Sequence, residues 1–345
     1  MKLFVFFLSL CFSFSLFAKD EESPWLIAPT ASVDPKLGAS LGFVFGYLYR
    51  IDPKSDRSLT ATAANWSDTQ SQTQAIFSKN YFDGNSQKLI LGMFHAKVNN
   101  EYDDFLGTGD KGNTTDNITG AGFRYLHRMV GQWYWGLNAF YMKYSITPND
   151  ATTKQYMKNV GLDEETDSVG AGLIIEYDSR DNPNSPLSGT QFNLSNIANR
   201  EQFGSDSNYD VYRMNYKFFV SSQSKHVLAT LIKGHWVSDD TPQGAWSSVL
   251  LRGYVRGEYL APNYISAETE GRIHISERWL WTISGGVGCL YVETADCNDN
   301  KNIYPMGALG LQFVLKVEDR LVARAEYAKG KGDNQGFYIK FGQAF

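Results

Sequence analysis

The tightest constraint on this chain is a two-residue rhythm carried through unusually long segments. From 39 to 49, Ala39, Leu41, Phe43, Phe45, Tyr47 and Tyr49 share one face of an extended strand, while Ser40, Gly42, Val44, Gly46, Leu48 and Arg50 share the other. From 168 to 178, Val169, Ala171, Leu173, Ile175 and Tyr177 oppose Ser168, Gly170, Gly172, Glu176 and Asp178, with Ile174 the one exception. Tyr212, Met214, Tyr216, Phe218 and Val220 oppose Arg213, Asn215 and Lys217, and Ile273 and Ile275 oppose Glu268, Glu270, Arg272 and His274. Alternate side chains of a strand point to opposite faces, so each segment has an apolar and a polar side. These segments run about 10 to 12 residues where about 5 or 6 is usual. That length suits a strand tilted across a membrane.

A soluble sandwich and a membrane barrel both alternate, and composition does not separate them. The 345 residues are 14% aromatic and 20% charged, with a net charge of −5 and a mean hydropathy of −0.33. A barrel tolerates that polar average because only alternate side chains meet lipid. The ends of the apolar rows discriminate better. Tyr47, Tyr49, Tyr177, Trp133 and Trp135 sit where the aromatic girdles of a membrane protein lie. Short connections such as 317–319 and 223–224 alternate with long polar ones at 99–116, 147–166 and 239–264, the asymmetry of inner turns and outer loops. The expected fold is all-β, a transmembrane antiparallel β-barrel. Its strands are placed at 25–33, 38–50, 57–67, 71–82, 87–99, 116–129, 132–146 and 167–178, then 189–199, 208–221, 226–237, 264–276, 279–293, 303–316, 320–329 and 336–345. That makes sixteen, an even number that returns both termini to one side. Fourteen is the alternative, because the fourth segment alternates weakly.

Both ends of the chain carry delivery signals. Residues 1–18 read as a signal peptide, with Lys2 as its charge, an apolar run from Leu3 to Phe17 and Ala18 before the cleavage point. Residues 19–24 then form a short periplasmic segment and 25–345 the barrel. Phe337, Ile339, Phe341 and Phe345 share a face of the final strand, interrupted by Gln343. This row looks like the insertion signal read by a barrel-assembly machine. Cys289 and Cys297 face an oxidising compartment, but a mid-strand cysteine and a loop cysteine need not come within bridging distance, so a disulfide stays open. The mild acidity gives no reason to expect nucleic acid as a partner.

Three stretches then combine: GAGLIIEYDSRDNPNSPLSG at 170–189, LLRGYVRGEYLAPNYISAETEGR at 250–272 and DFLGTGDKGN at 104–113. Together they resemble the barrel of the bacterial surface-antigen and outer-membrane assembly-factor superfamily, which contains BamA, TamA and the patatin-linked barrels. Tyr177, Asp178, Arg180, Asp181, Pro186 and Gly189 match that family's strand-end and turn motif. Leu251, Arg252, Gly253 and Tyr254 match the motif of its sixth outer loop. The resemblance implies that this loop folds back into the lumen, where Arg252 needs carboxylate partners. The alternation puts Glu268, Glu270 and Arg272 on the lumen side. Tyr291 and Glu293 stand where the family has an aromatic-x-acid on strand 13, with Glu replacing its Asp.

One departure stands at the front. The first strand begins soon after the expected cleavage point, which leaves no room there for the POTRA modules of the assembly factors. The resemblance thus implies a barrel that assists insertion or translocation of lipid or protein components at the outer membrane of a Gram-negative bacterium. The alternative is a passive channel or structural barrel gated by its inner loop. Expected partners are outer-membrane lipids and the barrel-assembly machinery, with room for a separate periplasmic protein or a second copy. No cofactor, metal or catalysis is expected. His274 and Ser276 have an H-x-S spacing but no assignable oxyanion donor. Glu101, Asp103, Asp104, Asp110 and Asp116 read as a solvated loop.

Overall fold

A computed structural model describes residues 23–34, 38–102, 111–159, 165–223 and 225–345. The segment read as a signal peptide lies outside these residues, as do Asp103, Asp104, Asp110 and most of the 104–113 stretch. The described chain forms sixteen long strands. These are β1 (Trp25–Asp34), β2 (Gly38–Tyr49), β3 (Ser58–Ser67), β4 (Gln72–Phe82), β5 (Gln87–Tyr102), β6 (Gly112–Val130), β7 (Trp133–Pro148) and β8 (Glu165–Asp178). The second half comprises β9 (Gly189–Asn199), β10 (Tyr209–Ser221), β11 (Val227–Val237), β12 (Asn263–His274), β13 (Trp279–Tyr291), β14 (Ile303–Lys316), β15 (Leu321–Lys329) and β16 (Gln335–Phe341). Each pairs antiparallel with its neighbours in sequence, and β1 pairs with β16 to close the barrel. The weakly alternating fourth segment is a full strand, paired on both sides.

Closure explains which face points where. In hydrocarbon no water can satisfy a backbone N–H or C=O, so a spanning sheet must leave no edge. The apolar rows then face outward. Leu41 is 69% exposed and Leu173 61%, with Phe43, Phe45, Tyr47 and Ile175 exposed beside them, while Val44, Leu48, Ile174 and Glu176 are buried inside. Aromatic side chains pair along the rim of this belt. Trp25 stacks on Phe45 with ring centroids 5.2 Å apart, and Trp133 lies 5.1 Å from Tyr177. Tyr177, at the strand end of the turn motif, belongs to this girdle, as its row's ending in aromatics implied.

The structure departs from expectation at β6 and at β16. β6 starts at Gly112 rather than 116 and has 19 residues, against the roughly 9–11 that span a bilayer. Its pairing with β5 runs up to Tyr102↔Gly112, so this hairpin carries the wall outward beyond the belt. There α1 (Ala151–Asn159) packs through Met157 in a cluster with Ile146 of β7 and Tyr102 of β5. β16 stops at Phe341 rather than 345. Gly342 adopts φ 89, a left-handed conformation that costs glycine little, and the chain turns inward. The Gln343 amide donates to Ser185 Oγ at 2.8 Å and to Gln312 Oε1 at 3.1 Å. Arg272 Nη2 donates to the main-chain oxygen of Phe345 at 3.3 Å, with its guanidinium 5.9 Å from the Phe345 ring. Phe337 and Ile339 keep their place on β16, but Phe345 lies inside the barrel and does not share their face.

Cys289 and Cys297 are bonded, with Cα atoms 5.8 Å apart. Cys289 is two residues from the end of β13, and a 3-10 turn at Thr294–Asn298 brings Cys297 back over it. The chain doubles back within the first turn of the loop, so the cysteines meet.

The outward row predicts a lipid-specific cost. Leu173→Arg should destabilise the barrel in lipid vesicles by about 2–4 kcal/mol if Leu173 sits near mid-bilayer, measured by urea unfolding. A change within about 0.5 kcal/mol, as at an ordinary water-exposed site, would remove Leu173 from the lipid face.

Candidate functional site

The connection between β11 and β12 is the sixth loop on the side opposite the termini. It opens with a two-residue ribbon in which Ser247 and Ser248 pair with Ala261 and Leu260. Inside that ribbon, Val249, Leu251 and Tyr254 are buried against Tyr264, Leu290, Tyr304, Met306, Ala308, Ala328 and Tyr338, all on the inner wall of β12–β16. This apolar contact is what turns the loop toward the wall, because the same residues facing water would expose a large hydrophobic surface.

Gly253 makes the close approach feasible. Its φ is 88, and a Cβ there would lie 3.2 Å from the Ala328 carbonyl oxygen. Its N–H donates to the Tyr338 hydroxyl at 3.2 Å. The Tyr254 hydroxyl donates to the Pro305 carbonyl at 2.5 Å and accepts from the Lys331 N–H at 2.8 Å. Tyr254 thereby joins the loop to both β14 and the β15–β16 connection.

Arg252 is pinned between these contacts. Its guanidinium donates to Glu268 and Glu326, and to Glu270 Oε2 at 3.2 Å. Burial alone would pull its pKa down, but the three carboxylates outweigh that and raise it, so Arg252 stays charged. The wall continues the network. Arg272 Nε donates to Glu270 Oε1 at 2.8 Å, Ser284 Oγ to Glu270 Oε2 at 3.3 Å, and Arg324 lies 3.8 Å from Glu326. Glu270 is 0% exposed, Glu326 1% and Arg272 1%. Three guanidinium groups and three carboxylates thus form a buried group without net charge. Buried charges are tolerated on that condition.

Sequence reasoning brought Arg252, Glu268, Glu270 and Arg272 together but missed Glu326. Its signal was present: Arg324 and Glu326 alternate with Ala323, Ala325 and Tyr327 along 321–329, a charged face on a membrane strand. Glu293 and Tyr291 are corrections. β13 ends at Tyr291, and Glu293 is exposed, capping the 3-10 turn that follows. Tyr291 has the outward parity of β13 and accepts from Trp236 Nε1 at 2.8 Å. The strand ends too early for an aromatic-x-acid to reach the lumen, and Glu326 of β15 stands there instead.

The turn motif forms a second inward anchor, on the side of the termini. Asp178 accepts from Arg180 Nε at 2.8 Å and Nη2 at 2.9 Å, and Lys88 Nζ bridges Glu176 and Asp178 at 2.9 Å each. Asp181 accepts from the N–H groups of Leu187 at 2.8 Å and Ser188 at 3.0 Å, closing the turn around buried Pro186 before Gly189 opens β9. Asp181 also pairs with Arg320, and the Asn184 amide donates to the Asp319 carbonyl at 3.0 Å. These contacts span the lumen, since β8 and β9 lie far around the barrel from β14 and β15.

Other candidates sit elsewhere. Ser276 Oγ accepts from the Trp279 N–H at 3.3 Å, and the His274 N–H donates to His226 Nδ1 at 3.1 Å. Asp116 accepts from Thr114 at 2.7 Å and Tyr144 at 2.8 Å. Among the described residues no three His, Cys, Asp or Glu side chains converge to hold a metal.

The buried group yields a prediction. Arg252→Ala leaves three carboxylates facing two guanidinium groups and should destabilise the folded barrel by about 3–5 kcal/mol, against about 0–1 for an exposed pair. Glu270→Ala should be similarly costly, and the double variant should fall short of the sum. Heat-modifiable mobility and protease protection of residues 247–261 report both. Strict additivity would separate the two residues energetically.

No protein-family model matches this sequence, and no curated protein matches it. Solved structures do. The barrel superposes on BamA from Haemophilus ducreyi lacking POTRA domains 1–3 with a TM-score of 0.58 at 12% identity, covering 92% of this chain and 70% of that one. It superposes on CdiB from Acinetobacter baumannii with a TM-score of 0.57 at 11% identity, over 92% of this chain and 60% of the other. For CdiB from Escherichia coli the TM-score is 0.58 at 11% identity, over 92% and 62%. The chain spans less than two thirds of either CdiB. At such identities the likeness is one of fold: this chain forms the same sixteen-stranded barrel as BamA and CdiB.

Proposed function

We propose that this protein is an outer-membrane barrel that assists insertion or translocation of lipid or protein components, working at the seam between its first and last strands. The observation that carries this reading is the shortness of that seam. Among the described residues β1 pairs with β16 through Ala31↔Ile339, Ser32↔Tyr338 and Val33↔Phe337, whereas β1 pairs with β2 from Trp25 to Asp34. Below this ladder the end of the chain turns into the lumen at Gly342 and leaves the Trp25–Ala28 stretch of β1 beyond the end of β16. Among the described residues every other junction of the barrel has a longer ladder, so opening costs least here. Unpaired strand groups at an edge are a template for an incoming strand, and the surrounding lipid is locally perturbed where a wall is incomplete.

The fold likeness to BamA and CdiB supports an outer-membrane setting. The Arg252 group supports the same reading from the other side. It ties the sixth loop to β12 and β15, so the wall beside the seam stays braced while the seam itself is lightly held. Such a lock would let β1 and β16 part without loss of the rest of the barrel.

A seam-locked variant tests this. Ala31→Cys with Ile339→Cys joins directly opposed residues. In proteoliposomes the wild-type barrel should speed folding of a small outer-membrane barrel supplied unfolded, or exchange of labelled lipid between leaflets. The oxidised variant should lose that acceleration and regain it on mild reduction. Equal acceleration with the seam locked, or a large steady single-channel conductance without either activity, would favour a passive channel.

A further inference from the structure

Residues 249–254 of the sixth loop pack on β12–β16, while its earlier part lies over the facing side of the lumen. There, along the wall from β4 to β11 and beneath loop residues 244–246, lies a cavity of about 780 Å³, within the range of roughly 300–1,000 Å³ typical of small-molecule sites. Arg124 of β6 and Arg213 of β10 line it, with Glu176 the acid whose field reaches Arg124 without contact. Neither forms an ion pair or hydrogen bond among the described residues. This contrasts with Arg252, Arg272 and Arg324, each placed against a carboxylate.

The same wall holds polar atoms without partners. Asn138 Oδ1, both side-chain polar atoms of Asn199 and His235 Nε2 make no hydrogen bond, and the three residues are 6%, 0% and 7% exposed. All three line the cavity. Buried polar groups are ordinarily satisfied, and each exception needs a reason. Here the exceptions cluster beside two unpaired guanidinium groups.

We propose that this cavity binds a sugar carrying an oxyanion, a hydroxylated ring with a carboxylate or phosphate. The guanidinium groups supply planar donors matched to either oxyanion. Asn138, Asn199 and His235 together offer donors and acceptors at separate points, which suits hydroxyl groups that both give and take hydrogen bonds. Trp246 of the sixth loop lines the cavity as an apolar platform for a ring face. The site is independent of the seam and of the proposed function, since neither β1 nor β16 contributes to it.

Titration calorimetry on the purified full barrel in detergent tests this, with galacturonate and glucose 6-phosphate as probes and galactose and glucose as neutral controls at matched ionic strength. At least one acidic probe should bind saturably, and which one binds identifies the oxyanion. Arg124→Gln with Arg213→Gln should weaken it about tenfold or more, as expected for loss of charged hydrogen bonds. Lys154→Gln, on the exposed face of α1, should leave it unchanged. Heat-modifiable mobility checks folding of the double variant; if it fails, Arg213→Gln alone takes its place and should still weaken binding. No saturable binding of either acidic probe, equal binding of the neutral sugars, or unchanged affinity in the arginine variant overturns the proposal.

Discussion

Everything in this molecule follows from the need to satisfy backbone hydrogen bonds in a medium that offers none. A sheet can do so only by closing on itself, and closing divides its side chains into a lipid face and a lumen face. The lipid face becomes the rows of Leu41, Phe43, Phe45, Leu173 and Ile175. Closure also requires one junction to be made last, between strands that are distant in sequence. Among the described residues that junction is the shortest ladder, and the chain leaves the wall at Gly342 before matching the length of β1.

The lumen then sets its own problem. Charged and amide side chains point into a space narrow enough to desolvate many of them. The β12–β15 wall solves it internally by matching three guanidinium groups with three carboxylates, one guanidinium being delivered by the sixth loop. Arg252 therefore has two physical consequences: it balances the wall's carboxylates, and it fixes which side of the lumen the loop occupies. On the β6–β11 wall Arg124 and Arg213 have no carboxylate in contact among the described residues, and Trp246 of the loop lies over the cavity beside them. One placement of one loop thus makes a braced half and a receptive half.

The opposite end of the barrel is tied by different means. The 179–188 turn reaches across to the 316–321 turn and to Gln343, so the chain's own tail is held by a segment from the far wall. Arg272 connects this tail to the buried group, donating to Glu270 on one side and to Phe345 on the other. The two inward anchors are consequently joined through a single guanidinium, and the seam strand ends against it.

The sequence by itself determined the wall. Strand number, strand positions and the outward rows were legible because period-two alternation is a local property: neighbouring side chains must diverge whatever the rest of the chain does. Parity likewise puts Glu268, Glu270 and Arg272 inside, whereas Arg252 was set beside them by the resemblance of its loop motif, since alternation says nothing about a loop. Glu326 could have been found by that parity, but nothing local says which of several inward acids an arginine on a distant loop will reach. Glu293 and Tyr291 were misplaced because their reading assumed a strand two residues longer than β13 is. Phe345 was misplaced because alternation cannot foresee where a strand leaves the wall. The Cys289–Cys297 bond depended on a turn doubling back, and the cavity beside Arg124 and Arg213 on strands, β6 and β10, that are not paired and share a cavity only because the sheet curls. These were decided by tertiary structure alone, because each depends on distances between segments, and periodicity carries direction but no distance.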